Sequence, residues 1–332
     1  MTPTGRLPAP VLARWVRALV VASSGVAVAC LPNDTRKPPG NVLVQVESDG
    51  VAAAGIPSSA TSDGWSIAFD RVLVSLGNVS LDGDSCDVYS DSAYNRVFDM
   101  GTNGKQKVSI VYALGHCDFG FRLSSPNVDT LVGVGATEAD KTMMRTPASD
   151  AFTDASGTSI YVRGHAVRDG VTKTFEWPFR FRARYDRCST SASTAPPGLD
   201  FQGNVAQAVT LEVRPGVLFG DQTNITVAQA RFQVFADADT VTGNDDGAVT
   251  LDELARVPLS AGGFVDIVGE GDAAVLQGLD AGFGNHVIQE TFDGSLQPSL
   301  EDYVYLVLFP GMIRFQGIGT CSVRLTNRGL GS

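Results

Sequence analysis

Apolar and polar side chains in this chain alternate in twos far more often than they recur at helical spacing. From Asn41 to Ser48, Val42, Val44 and Val46 alternate with Leu43, Gln45 and Glu47, the period of a strand with one buried face. Gly64-Trp65 opens a longer run of the same kind that reaches Leu81. It predicts two strands, or one strand broken by a bulge near Asp70. Strands are also expected at Val108–Leu114, Phe119–Leu123, Thr130–Val134, Gln207–Val213, Ala228–Phe235, Ile313–Phe315 and Cys321–Leu325, with a short helix at Thr137–Met144. Short strands separated by turn residues predict a mainly β protein, an antiparallel β-sandwich with a few short helices.

The pattern is sharpest between Ser159 and Cys188. Asp169-Gly170 is a two-residue hairpin turn between alternating runs, and it sets the register with Arg168 opposite Val171. Ile160, Val162 and Gly164 then face Phe179, Trp177 and Phe175 on an apolar side. Arg163 meets Glu176 and His165 meets Thr174 on a polar side that runs on into Arg180, Arg182 and Arg184. That arginine strip reads either as a solvated strand face or as an anion-binding surface. Pro178 lacks a ladder donor, so its strand belongs at an edge or at a bulge.

Ser, Thr, Ala, Pro and Gly crowd residues 189–199, which reads as a linker between a β-sandwich domain at 41–188 and a second β-rich domain at 200–332, although a long surface loop within one domain would look the same. Two capping-box patterns follow, Thr250 with Glu253 and Ser299 with Asp302. The first predicts a short helix. After the second, Tyr303–Phe309 is so rich in β-branched and aromatic residues that a strand is expected instead, stopped by Pro310-Gly311.

Arg6, Arg14 and Arg17 precede an apolar run, Ala18–Ala29, that is too short to span a bilayer. Residues 1–29 therefore read as a signal peptide. Ala27-Val28-Ala29 before Cys30 resembles a bacterial lipoprotein signal, although that family prefers Leu where this chain has Ala27. An ordinary small-residue cleavage site would cut at the same bond. Five cysteines are an odd number for an oxidising compartment, and lipidation of Cys30 leaves four. Residues 30–40 then form a lipid-anchored tether. Four cysteines allow three pairings, of which Cys86 with Cys117 and Cys188 with Cys321 are favoured. Removing the signal's three arginines leaves 22 basic against 36 acidic residues, about −14. That balance argues against nucleic acid as a partner and suits cation binding.

The densest chemistry lies at residues 237–253, which read as a lengthened EF-hand-like calcium loop. Asp237 and Asp239 match the first two ligand positions, Asp246-Gly247 a third ligand with its turn glycine, and Glu253 the closing carboxylate. Thr240 to Asp245 stand where an EF-hand has one residue, so the loop must bulge or use Asn244. Elsewhere catalytic motifs are missing. Three histidines, His116, His165 and His286, are far apart, and no H-E-x-x-H, C-x-x-C, G-x-S-x-G or phosphate loop occurs. The nearest dinucleotide pattern, Gly133-Val-Gly135, has Glu138 where its third glycine belongs.

Gly64-Trp65 through Leu76-Gly77, Phe175-Glu-Trp177 through Cys188, the acidic loop, and Gly317-Ile-Gly-Thr-Cys321 are together similar to uncharacterised secreted lipoproteins of myxobacteria and their relatives. The resemblance implies an envelope location and no known reaction. The leading expectation is a non-enzymatic outer-membrane or cell-surface lipoprotein with a calcium-binding loop, acting as a binding or structural surface protein toward an unknown protein or glycan. One alternative is a periplasmic copper or zinc binder using His116 with Asp118, or His165, alongside methionines. Another is a sandwich-fold hydrolase that uses carboxylates.

Overall fold

In the computed structural model, residues 37–145, 157–190, 197–220, 230–258, 299–305 and 309–328 are described here. The signal segment, Cys30, His286 and most of the 189–199 stretch lie outside them. The strands are β1 (Gly40–Ser48), β2 (Ser66–Asp82), β3 (Cys86–Ser90), β4 (Asn95–Asp99), β5 (Gln106–Leu123), β6 (Leu131–Val132), β7 (Ile160–Arg168), β8 (Val171–Phe179), β9 (Phe181–Ser189), β10 (Leu199–Phe201), β11 (Ala206–Val213), β12 (Ala248–Val249), β13 (Ile313–Phe315) and β14 (Thr320–Arg328). Among the described residues five short α-helices accompany them: α1 (Val51–Ala54), α2 (Glu138–Met144), α3 (Gln233–Asp237), α4 (Leu251–Leu254) and α5 (Leu300–Tyr303). The protein is mainly β, as its alternating pattern predicts.

Hydrogen bonding runs along β12-β8-β7-β2-β5-β1-β11-β13, with the remaining strands attached to the sides. Most pairs are antiparallel, but β1 pairs with β11, β8 with β12 and β4 with β6 in parallel. The sheet is therefore mixed. It curls because its two longest strands change partners along their length. β5 pairs with β1 through Gln106–Ala113 and with β2 through Asp118–Leu123. Gly115 lies between these partners at φ 96°, and a Cβ there would sit 2.1 Å from the Ser85 carbonyl oxygen, so only glycine fits. β2 shifts register between Phe69 and Arg71, which puts the expected irregularity at Asp70, and shifts again between Gly77 and Ser80.

The β7–β8 hairpin has the predicted register at every pair, from Ile160 with Phe179 to Arg168 with Val171. Pro178 lies on a strand whose other side, among the described residues, meets β12 across Thr174 and Phe175 and no strand at Pro178, so its missing donor costs no ladder bond there. Phe175, Trp177 and Phe179 are buried, and Trp177 packs at 5.5 Å on both Phe219 and Phe235. This aromatic cluster joins the hairpin to the segment around α3.

Two local expectations give way to tertiary contacts. Within Ala228–Phe235, residues 228–229 lie outside the description, Ala230 makes only isolated bridges, and α3 begins at Gln233. The cause is distant in sequence, since the Asp63 carboxylate accepts the Phe232 and Gln233 N–H groups at 2.6 Å and so caps the helix. At Ser299 the capping box forms and α5 follows, so Tyr303 is helical where a strand was expected. Tyr305, just beyond, is buried with its ring 5.3 Å from Phe179. Here the cap and core packing outweigh β propensity. The stretch at 189–199 does not divide the chain into separate domains: β11 beyond it pairs with β1, β14 pairs with β9, and Pro39–Ser332 forms one compact unit.

Candidate functional site

The acidic loop leaves α3, passes through a helical turn at Ala238–Thr242, and lies against β8 through the two residues of β12. The Trp177 indole N–H donates to the Val249 carbonyl at 2.9 Å and pins the loop's exit. Asp239 is its hub and is fully buried. Its Oδ1 accepts the Asp246 N–H and its Oδ2 the Gly247 N–H, each at 3.1 Å. The same Oδ2 accepts from the Lys173 ammonium at 2.5 Å, and that ammonium also reaches Asp245 Oδ1 at 3.3 Å.

Lys173 therefore puts a positive charge inside the loop. Burial by itself pulls its ammonium down, but the hydrogen bond to Asp239 and the charges of Asp239 and Asp245 outweigh this and hold it above its ordinary range. Asp246 is held below the usual carboxylate range, first by the Ala248 N–H and then by the Asn244 amide. Glu253 closes the other side. Its Oε2 accepts from the Thr250 N–H at 2.9 Å in the predicted capping box, and its Oε1 accepts from the Asn244 N–H at 3.3 Å. Gly243 fits between Glu253 and the Asp239 backbone, where a Cβ would come within 2.2 Å of Glu253 Oε1.

Of the five expected ligands, Asp239, Asn244, Asp246 and Glu253 belong to one hydrogen-bonded loop. Asp237 is exposed in α3, and its carboxylate accepts from Gln233 Nε2 at 2.6 Å instead. Among the described residues no group of three or more His, Cys, Asp or Glu side chains is arranged to hold a metal ion. The sequence reading missed Lys173, although strand parity could have found it. Lys173 is paired with Ala166 and alternates with Phe175, Trp177 and Phe179, so it falls on the apolar face. A lysine at such a position needs a buried partner.

Among the described residues, His116 and His165 have separate partners. His116 on β5 faces Asp200 on β10, with Nδ1 2.8 Å from the Asp200 carboxylate and Nε2 2.9 Å from the Pro197 carbonyl oxygen. Both ring nitrogens are thus engaged. The Asp200 hydrogen bond, followed by that to Pro197, raises the His116 pKa. His165 Nδ1 stands 3.4 Å from Asp70, at the bulge in β2.

Both favoured disulfides are present, Cys86–Cys117 between β3 and β5 and Cys188–Cys321 between β9 and β14. No helix among the described residues is long and apolar enough to cross a membrane. No family model, curated protein or solved structure matches the chain.

Proposed function

We propose that this is an exported protein, lipid-anchored through Cys30 at the outer membrane or cell surface, whose disulfide-stapled β fold serves as a binding or structural surface. The cysteine arrangement carries this reading. Four of the five cysteines are consumed by the two bridges, which suit an oxidising compartment. The fifth, Cys30, stands directly after a charged, apolar and small-residue order. Intact mass of the membrane-extracted protein should show a diacylglyceryl adduct on a chain that starts at Cys30. An unmodified, soluble N-terminal Cys30 would end the anchoring claim.

In this reading the acidic loop is a support, clamped onto β8 by Lys173 as its resident cation. Calcium is the second reading, favoured by the exposure of Asn244, Asp245 and Asp246 on the outer side of the loop. The ion would have to displace the ammonium from Asp239 or bind outside it.

A further inference from the structure

Strand register extends the arginine strip of β9 across its neighbours. Arg184 lies directly opposite Arg122 on β5 and directly opposite Arg324 on β14. Directly opposed residues of an antiparallel pair point to the same face. Three guanidinium groups therefore stand in one row across three strands, with about 4.8 Å between neighbouring strands. Arg182, two residues from Arg184 along β9, lies on the same face. The face is the outer one, because Phe121, Leu123, Ala183, Tyr185 and Val323, which alternate with the arginines, are buried, while Arg122 and Arg324 are exposed.

Like charges placed directly opposite one another destabilise a sheet. Here a chain of net charge −11 gathers them. The Asp186 carboxylate is bonded to the row, accepting from Arg184 Nε at 2.7 Å. It answers Arg184, while Asp118 and Asp82 stand two residues beyond Gly120 and Ser80 on the same face and bound the row at one end. Burial, and after it the charge of Arg122, push the Arg182 guanidinium down, the direction expected of cations crowded together. Beside the row Gly120 carries no side chain and is flanked by the Ser80 hydroxyl and Asp186, with Ser322 opposite Asp186.

We propose that the row Arg122–Arg184–Arg324, continued by Arg182, binds a linear anionic glycan, its sulfate or carboxylate groups taken by the guanidinium forks and its hydroxyls by Ser80, Asp186 and Ser322. The planar fork of arginine matches such oxygen pairs in bidentate fashion. A glycan fits better than a nucleic acid, because among the described residues those paired beside the arginines on this face, Gly77, Ser80, Gly120, Asp186 and Ser322, include no aromatic ring to stack a base. The proposal deepens the binding role given above and rests on it, but not on the lipid anchor.

The test is isothermal titration of the purified full chain with a heparin-type hexasaccharide, with a polygalacturonate hexamer and with single-stranded oligothymidine. Binding of one or both glycans is expected, weakened by about tenfold or more in Arg122→Gln/Arg324→Gln. Lys107→Glu, on the opposite half of β5, should bind as the unaltered chain does. The melting curve of each variant establishes that it is folded, and Arg324→Gln alone, at the outermost strand, provides a second reading of the same loss. Absence of binding to both glycans, an equal loss in Lys107→Glu, or tighter binding of the oligonucleotide would overturn the proposal. None of those outcomes would touch the mass of the Cys30 terminus.

Discussion

At the scale of single residues, Lys173 decides what the acidic loop is. Its ammonium and the Asp239 carboxylate are 7% and 0% exposed, and Asp239 depends on Lys173 for its counter-charge, while Lys173 also reaches the exposed Asp245. Removing one partner of a buried pair strands the other charge in a low-dielectric site, at a cost of roughly 3–5 kcal/mol. Lys173→Met should therefore lower the unfolding free energy by about that amount, measured by denaturant titration. A loss below about 1 kcal/mol would mean that the pair is solvated and the loop loosely held. The same argument covers calcium. A cation that binds only the ordered loop raises the melting temperature by mass action. With Lys173 in place the unaltered chain should melt alike in calcium and in chelator, whereas a rise in calcium would show that the ion displaces or joins the ammonium.

At the scale of elements, β10 is a three-residue strand laid on β5, and His116 fastens its middle. Both groups facing the imidazole, the Asp200 carboxylate and the Pro197 carbonyl, are acceptors, so only the protonated ring donates to both; Asp118 adds a further favourable charge. A folded pKa raised above the ordinary 6.5 gives stability that is fully present below that value and is lost as pH rises through the folded one. As pH rises above the ordinary histidine value of 6.5, the melting temperature of the unaltered chain should fall more steeply than that of His116→Gln. Parallel slopes would show that the clasp does not couple to folding. Other elements were legible locally, because their causes are local. The Asp169-Gly170 turn places each β7–β8 pair, and the Thr250–Glu253 box starts α4. The start of α3 was not legible, since Asp63 caps it from far along the chain.

At the scale of the whole molecule, the Cys188–Cys321 bridge closes a loop of 133 residues, against 31 for Cys86–Cys117. In the chain-entropy account a longer loop restricts the unfolded ensemble more. It also holds β14, whose one partner among the described strands is β9, at the margin of the sheet. Cys188→Ala/Cys321→Ala should lose roughly 2–5 kcal/mol of unfolding free energy, and more than Cys86→Ala/Cys117→Ala does. Denaturant curves that rank the two pairs the other way would place the stabilisation in native-state packing and not in the unfolded chain. Losing β14 from the sheet would also take Arg324 out of its row, so the first of these variants should bind anionic glycan less well than the second.

The sequence by itself determined whatever has a short physical range: the period-two strands, the hairpin register, the bulge near Asp70, the capping boxes, and the abundance of carboxylates between Asp237 and Glu253. It also favoured the two cysteine pairings that form, Cys86 with Cys117 and Cys188 with Cys321. Only the tertiary structure decided which distant group meets each of these. It brought Lys173 from β8 into the acidic loop, Asp63 to the start of α3, and Arg122 and Arg324 into line with Arg184. It joined both halves of the chain in one sheet system where composition suggested a linker. The reason is the same in each case. Turn preference and side-chain period act over a few residues, whereas a buried charge or an orphan N–H is satisfied by whatever the fold brings near, and sequence separation has no bearing on that distance.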